Sequence, residues 1–278
     1  MKRVIYGLIV LWLTACSSAP PPRPPLEDNA LQWTQRGQDA FRRGEWQEAL
    51  DAYQEGLRIY ASIEQGDGIG VELLNIATVQ YAMGDIVAMD KTLDRVLNNV
   101  GVPAVHRAEA AYRRAYAKLN AADADGAAAW LEQALQRCAP IDCAALGAMY
   151  NLRARLALLR GDTVVADTDA RRAAEANRRH GDQIEEANSQ RLLADAALRS
   201  ANGAQALALY EQTLTLDKAT AQTRKIVLDL LGAARAAAML GRTDVVAYLE
   251  RARSVAESID DAVLAQQVDA TRRELVQK

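Results

Sequence analysis

Histidine occurs only twice, at His106 and His180, cysteine three times and phenylalanine once, at Phe41. A His-based metal site or a His-dependent catalytic triad therefore has almost no raw material. Aromatic residues make up 5% of the 278-residue chain, which argues against a core of large rings and for close-packed, alanine-rich helices. The 33 basic residues are set against 36 acidic ones with no long basic run, so nucleic acid and anionic membrane surfaces have no electrostatic footprint. There is no G-x-S-x-G, no H-E-x-x-H and no P-loop, and neither a metal nor a cofactor is expected. Proline is scarce where it would matter: beyond Pro25 only Pro103 and Pro140 occur, leaving a long body almost free of helix breakers.

What is present begins at the N-terminus. Lys2 and Arg3 precede an apolar run from Val4 to Ala15, interrupted only by Gly7 and Thr14, and Cys16-Ser17-Ser18 follows at once. About twelve apolar residues fall short of the roughly twenty that cross a bilayer, so residues 1–15 read as a secretory signal and not as a retained span. Leu13-Thr14-Ala15-Cys16 resembles the lipobox of bacterial lipoproteins, which implies cleavage before Cys16, acylation of its thiol and a membrane anchor. Ser17 in the next position is similar to the outer-membrane sorting pattern, which implies the inner leaflet of the outer membrane, facing the periplasm. Residues 16–29, with Ala19-Pro20-Pro21-Pro22-Arg23-Pro24-Pro25, then read as a stalk of extended polyproline II reaching up to roughly 40 Å. A PxxP ligand for an SH3-type domain is the competing use of such a segment, but a position beside a lipid anchor already accounts for its composition.

Beyond the stalk the chain repeats. Short turn signals stand at Gly44-Glu45, Gly84-Asp85, Ala122-Asp123, Gly161-Asp162, Ala201-Asn202 and Gly241-Arg242, at spacings of 40, 38, 39, 40 and 40 residues. Such a period belongs to helical-hairpin solenoids. The first copy carries Trp33, Gly37, Phe41, Gly44, Trp46, Ala49, Tyr53, Gly56 and Leu57. These residues resemble a tetratricopeptide repeat: W-x3-G in helix A, a G-x-W turn and A-x3-Y-x2-G-L in helix B. Small residues recur in step with it. Seven before each turn stand Gly37, Ala77, Ala115, Ala154, Ala194 and Ala234; five after it stand Ala49, Met89, Ala127, Ala166, Ala206 and Val246. Twelve after it stand Gly56, Val96, Ala134, Ala173, Thr213 and Arg253, the last better aligned at Ala252 if the sixth turn is one residue short.

The resemblance implies an all-α, right-handed α-solenoid of about six hairpins over residues 30–257. The copies divide near 30–69, 70–107, 108–146, 147–186, 187–226 and 227–257, with a C-terminal capping helix in 258–278. Copies three to six lack the Trp and Tyr hallmarks and rest on alanine spacing, and a generic α–α superhelix fits them as well. A period near 40 in place of the common value of about 34 implies helices about a turn longer and a wider groove.

Local chemistry sets the expected helix ends. Pro103 suits a first helical turn, Asp142 can cap the helix after Pro140, and Arg178-Arg179-His180-Gly181 reads as a helix C-terminus with His180 as an end cation. Asp260 or Asp261 can cap a last helix to about Val276. Gly66-Asp67-Gly68-Ile69-Gly70 has the wrong spacing for a dinucleotide fingerprint and reads as a flexible inter-repeat loop. Asp123-Ala124-Asp125-Gly126 lacks the later ligands of an EF-hand and reads as a turn. Cys138 and Cys143 flank Ala-Pro-Ile-Asp. In an oxidising compartment, with Cys16 taken by lipid, this even pair predicts a local disulfide of modest stabilising effect, near the low end of roughly 2 to 4 kcal/mol.

Tetratricopeptide proteins line their concave surface with helix A, and the family's groove-facing positions map onto Gln38, Phe41, Arg42, Thr78 and Tyr81. They continue through Tyr112, Tyr116, Asn120, Asn151, Arg155, Asn188, Arg191, Asp195 and Arg199. Tyrosine, asparagine and arginine together offer flat apolar area and hydrogen bonds to an extended peptide backbone or a terminal carboxylate. Plain solvation of a helix face is the competing account of the same residues. Within the stretch Asn151, Arg155, Asn188 and Arg191 recur on successive faces and are expected to follow one strand. The carboxylate pairs Glu185-Glu186 and Asp260-Asp261 are sequence neighbours that point apart or cap a helix, so no catalytic set converges. The expected function is that of a non-catalytic, membrane-anchored periplasmic adaptor for a periplasmic or outer-membrane protein or peptide. A pilotin-like factor for secretin or type IV pilus assembly and a regulator of peptidoglycan enzymes are its narrower forms, and an enzyme or small-ligand binder is the rival class.

Overall fold

The computed structural model describes residues 24–141 and 143–276, so the lipobox, Cys16, the stalk through residue 23 and the Asp142 cap lie outside the described residues. Within them the chain forms thirteen α-helices and no strand. The first twelve form six successive hairpins, each of two neighbouring helices, A and B. The hairpins are α1 (Pro25–Arg43) with α2 (Trp46–Ser62), α3 (Gly66–Ala82) with α4 (Ile86–Leu97), and α5 (Ala104–Asn120) with α6 (Ala124–Cys138). They continue with α7 (Leu146–Leu159) and α8 (Thr163–His180), α9 (Gln183–Arg199) and α10 (Gly203–Ala219), and α11 (Thr223–Met239) and α12 (Val245–Ser258). A single helix, α13 (Ala262–Val276), covers the end. None of these helices is long and apolar enough to cross a membrane. Residues 25–29, assigned to the stalk by their position after the proline run, belong instead to α1, where Pro25 occupies the first turn at no hydrogen-bond cost.

The hairpins close on one recurring device. Gly44, Gly84, Ala122, Gly161, Ala201 and Gly241 all take left-handed φ values, from 59° to 80°. The next residue's N–H then donates to the carbonyl five positions back, as from Asp85 to Gln80, Asp162 to Ala157 and Asn202 to Ala197, closing a Schellman ring. The same next residue starts the following helix: Asp85, Asp123 and Asp162 accept from the N–H groups of Ala88, Gly126 and Val165 at 2.9, 2.9 and 3.0 Å. Thus a two-residue Gly/Ala-Asp/Asn word ends one helix and caps the next. Glu45 departs from it, making no cap bond and pairing with Arg43. The sixth turn departs as well, because α12 starts only at Val245. Val245 and Ala252, and not Val246 and Arg253, then fill the buried positions.

The small residues seven before each turn are all buried, as are those twelve after it once the sixth set is shifted by one. A Cβ on Gly37 would stand 2.5 Å from the Tyr53 ring, so this helix crossing is as close as glycine alone permits. The stretch Gly66–Gly70 is not a loop but the first turns of α3. Its glycines are sites of close approach: a Cβ at Gly66 would meet the Gly101 carbonyl, one at Gly68 the Tyr60 ring and one at Gly70 the His106 ring, at 2.0, 2.4 and 2.6 Å. Helical propensity loses here to the need to seat α3 against α2, α5 and the loop before α5.

Other ends follow local chemistry. Pro103 immediately precedes α5, Gly181 closes α8 just after His180 at φ 72°, and Asp261 caps α13 by accepting from Leu264 N–H at 3.0 Å. Helices A form a row in which α3 meets α5, α7 meets α9, α9 meets α11 and α11 meets α13, while α1 and α3, and again α5 and α7, barely touch. At the second of these openings the chain passes from α6 to α7 through the loop in which Cys138 and Cys143 are bonded, their Cα atoms 5.6 Å apart and both side chains buried.

Candidate functional site: a trough along helices A

A cavity of about 660 Å³ runs across α5, α7, α9 and α11. Tyr112, Tyr116, Asn151, Arg155, Asn188, Arg191, Asp195 and Arg199, all expected on the concave surface, line it together. Its apolar floor comes from Leu152, Leu158, Leu192 and Leu228. Gln38, Phe41, Arg42 and Thr78 border a separate hollow of about 290 Å³ nearer the N-terminus. There Phe41 is packed on Trp46, ring centroids 5.0 Å apart, and Arg42 is paired with Asp39 on its own helix. Tyr81 and Asn120 line neither. The Asn120 amide donates to Tyr81 Oη at 2.7 Å and the Tyr81 ring meets Tyr116 edge-on at 6.4 Å, so these two residues tie α3 to α5.

The trough residues divide into those already engaged within the protein and those that are not. Asn151 is buried, and its amide donates to the Glu185 carbonyl and to Glu185 Oε2 at 3.1 and 2.8 Å. Asn188 donates to the other Glu185 oxygen at 3.0 Å. Arg191 is not the free groove cation that its place on helix A implied. Its guanidinium donates to Asp229 Oδ1 at 2.7 Å, to Asp217 and to Asn188 Oδ1 at 3.0 Å. Both aspartates are fully buried, so Arg191 is the counter-ion that ties α9 to α10 and α11. Burial pushes the Asp229 carboxyl well above the usual range; Arg191 pulls it back and Asp217 adds to the rise. Burial likewise raises Asp195, against the pull of the hydroxyl that Tyr210 donates to it. Arg199 donates to the Leu158 carbonyl at 2.6 Å, satisfying the end of α7.

Two cations remain. Arg155 is exposed and Lys225 half-buried, and among the described residues neither side chain has a hydrogen bond or an ion pair. Burial, and then the charge of Arg191, hold the Lys225 ammonium below its ordinary pKa. Sequence reasoning missed Lys225 and Leu228 because the groove positions were mapped only as far as Arg199 in the fifth copy, and both residues lie on the A helix of the sixth. It missed Asp217 and Asp229 for a reason visible in the repeat. Twelve residues before each turn from the second onward stand Glu72, Ala110, Met149, Ser189 and Asp229, all buried against the preceding helix B. Polar residues at a position otherwise held by Ala or Met signal an internal network, as at Asn177, whose amide donates to Ser189 Oγ at 3.0 Å. Glu72 is the second buried acid of this set: Thr34 donates to it, Gly56 leaves it room, and burial pushes it up to about 7 despite the pull of Thr34 and Asn75. Among the described residues no group of His, Cys, Asp and Glu could hold a metal ion. The shifted acids sit in ties between helices and not around a common reacting point.

The fold defines the class: an α-solenoid of tetratricopeptide type. No protein-family model matches the sequence, and no curated protein does. Solved structures with tetratricopeptide repeats are similar to it. The signal transduction ATPase with numerous domains from Pyrococcus horikoshii, described as having a tetratricopeptide repeat sensor, is 17% identical with a TM-score of 0.67. The match covers 88% of this chain but only 37% of that protein. A tetratricopeptide repeat protein from Parabacteroides merdae is 11% identical, with 90% of this chain and 94% of that one covered and a TM-score of 0.54. A Rap protein complexed with the competence and sporulation factor is 11% identical, with 89% and 72% covered and a TM-score of 0.62. At these identities the likeness is one of fold.

Proposed function

We propose that this chain is a non-catalytic adaptor that grips a partner protein in the trough formed by α5, α7, α9 and α11, held at a membrane by lipid on Cys16. The observation that carries the reading is the trough itself. It offers apolar floor, tyrosine faces and two uncommitted cations on one surface, while its remaining charged side chains are engaged internally. The Rap protein solved with the competence and sporulation factor has the same kind of fold, which supports a binding role for such a solenoid. The lipobox-like Leu13-Thr14-Ala15-Cys16 supports an address at the periplasmic face of the bacterial outer membrane, with a partner from the envelope. Secretin or pilus assembly and control of peptidoglycan enzymes are both uses that fit such an address.

Two measurements test the two halves separately. Labelled palmitate should enter the wild type and not Cys16→Ser, and the variant should leave the membrane fraction; a Cys16→Ser protein that stays with membranes contradicts the anchor. Partner capture from cells should be lost with Arg155→Glu and kept with Glu175→Arg on the exposed face of α8. The reverse pattern would move the interface to the helix B surface.

A further inference from the structure

We infer that the occupant of the trough is an extended protein segment carrying two acidic side chains about five to seven residues apart, one meeting Arg155 and the other Lys225. This rests on the reading of the trough as the partner-binding surface. Six charged side chains line it, and four of them, Glu185, Arg191, Asp195 and Arg199, are already bonded within the protein. Both that remain are cations, in a chain whose net charge is −3. Charge complementarity therefore selects an acidic partner. Exposed apolar area lies beside the cations: Tyr116, Leu159 and Leu228 are 40%, 61% and 37% exposed and all line the trough.

The placement of the cations decides between one carboxylate and two. Arg155 belongs to α7 and Lys225 to α11, with α9 packed between them. Packed helix axes lie about 8 to 10 Å apart, so α7 and α11 are separated by roughly 16 to 20 Å. Along the helices the two residues are also offset, since Arg155 stands six residues before its turn and Lys225 sixteen before its own. At 1.5 Å per residue that adds about 15 Å in the second direction. No single carboxylate, whether on a side chain or at a chain end, spans such a gap even when both long side chains lean inward. An extended chain rising about 3.3 Å per residue covers it in about five to seven residues, whereas a helical occupant would need about twice as many.

The experiment is an anisotropy titration of the full chain against dye-labelled peptides, C-terminally amidated, with Leu and Tyr around one or two Asp residues. A peptide with its two Asp about six apart should bind about tenfold tighter than a one-Asp peptide or one with the two Asp about three apart. Arg155→Gln and Lys225→Gln should each remove that gain, and added salt should weaken it. Four results would overturn the inference: one Asp serving as well as two, a free C-terminal carboxylate supplying the whole gain, an optimum at about twice the spacing, or unchanged binding by the Gln variants. Failure of every peptide, with partner capture still lost in Arg155→Glu, would refute the acidic segment and leave the adaptor standing. Capture that survives Arg155→Glu would remove both.

Discussion

Arg155 and Arg191 face the same trough from neighbouring A helices, yet their surroundings give them opposite roles. Among the described residues the Arg155 side chain has no partner, and its truncation should shift stability by no more than about 0.5 kcal/mol. Arg191→Ala strips the counter-ion from two fully buried aspartates and should cost about 3 kcal/mol or more in chemical denaturation at neutral pH. Glu72 makes a prediction of a different kind. Its folded pKa, raised to about 7 by burial, means that the folded state holds a proton that the unfolded chain releases near its ordinary value of 4.5. The stability it contributes is present in full below the unfolded value and lost as pH rises through about 7. Glu72→Gln, still able to accept from Thr34, should flatten the fall in melting temperature between pH 5 and pH 8, and an unchanged slope would assign that fall to other groups.

Hairpin elements were legible in the sequence because one chemical word writes them. Gly or Ala in the left-handed region followed by Asp or Asn ends one helix and caps the next, so its period is visible without any structure. The small residues seven before it were legible for the same reason, since only they let helices A and B approach. Ala154→Leu or Ala194→Leu should overpack those fully buried contacts and cost about 1 to 3 kcal/mol. By contrast Ala122→Gly and Ala201→Gly relieve a left-handed alanine, at φ 60° and 59°, and should raise the melting temperature or leave it unchanged. What the pattern could not show was any bond between residues far apart in sequence. Arg191 meets Asp217 and Asp229 at separations of 26 and 38, so a helix-face pattern reads it as a groove cation. The glycines of Gly66–Gly70 were misread for a related reason, because their use lies in Gly101, Tyr60 and His106 from other elements.

At the scale of the whole molecule, the row of A helices opens between α5 and α7, where the disulfide loop takes the place of a tight left-handed turn. The trough crosses that opening and carries tyrosines at one end and Lys225 at the other, the free cation Arg155 between them. The proposed adaptor holds its partner on this surface. Photo-crosslinking in living cells tests it most directly, with the reactive residue placed at Tyr116 or Leu228 in the trough and at Glu175 or Ser254 on exposed helix B faces. The trough positions should give one discrete adduct that disappears with Arg155→Glu, and the helix B positions none. Adducts from Glu175 or Ser254, with Tyr116 and Leu228 silent, would contradict the account.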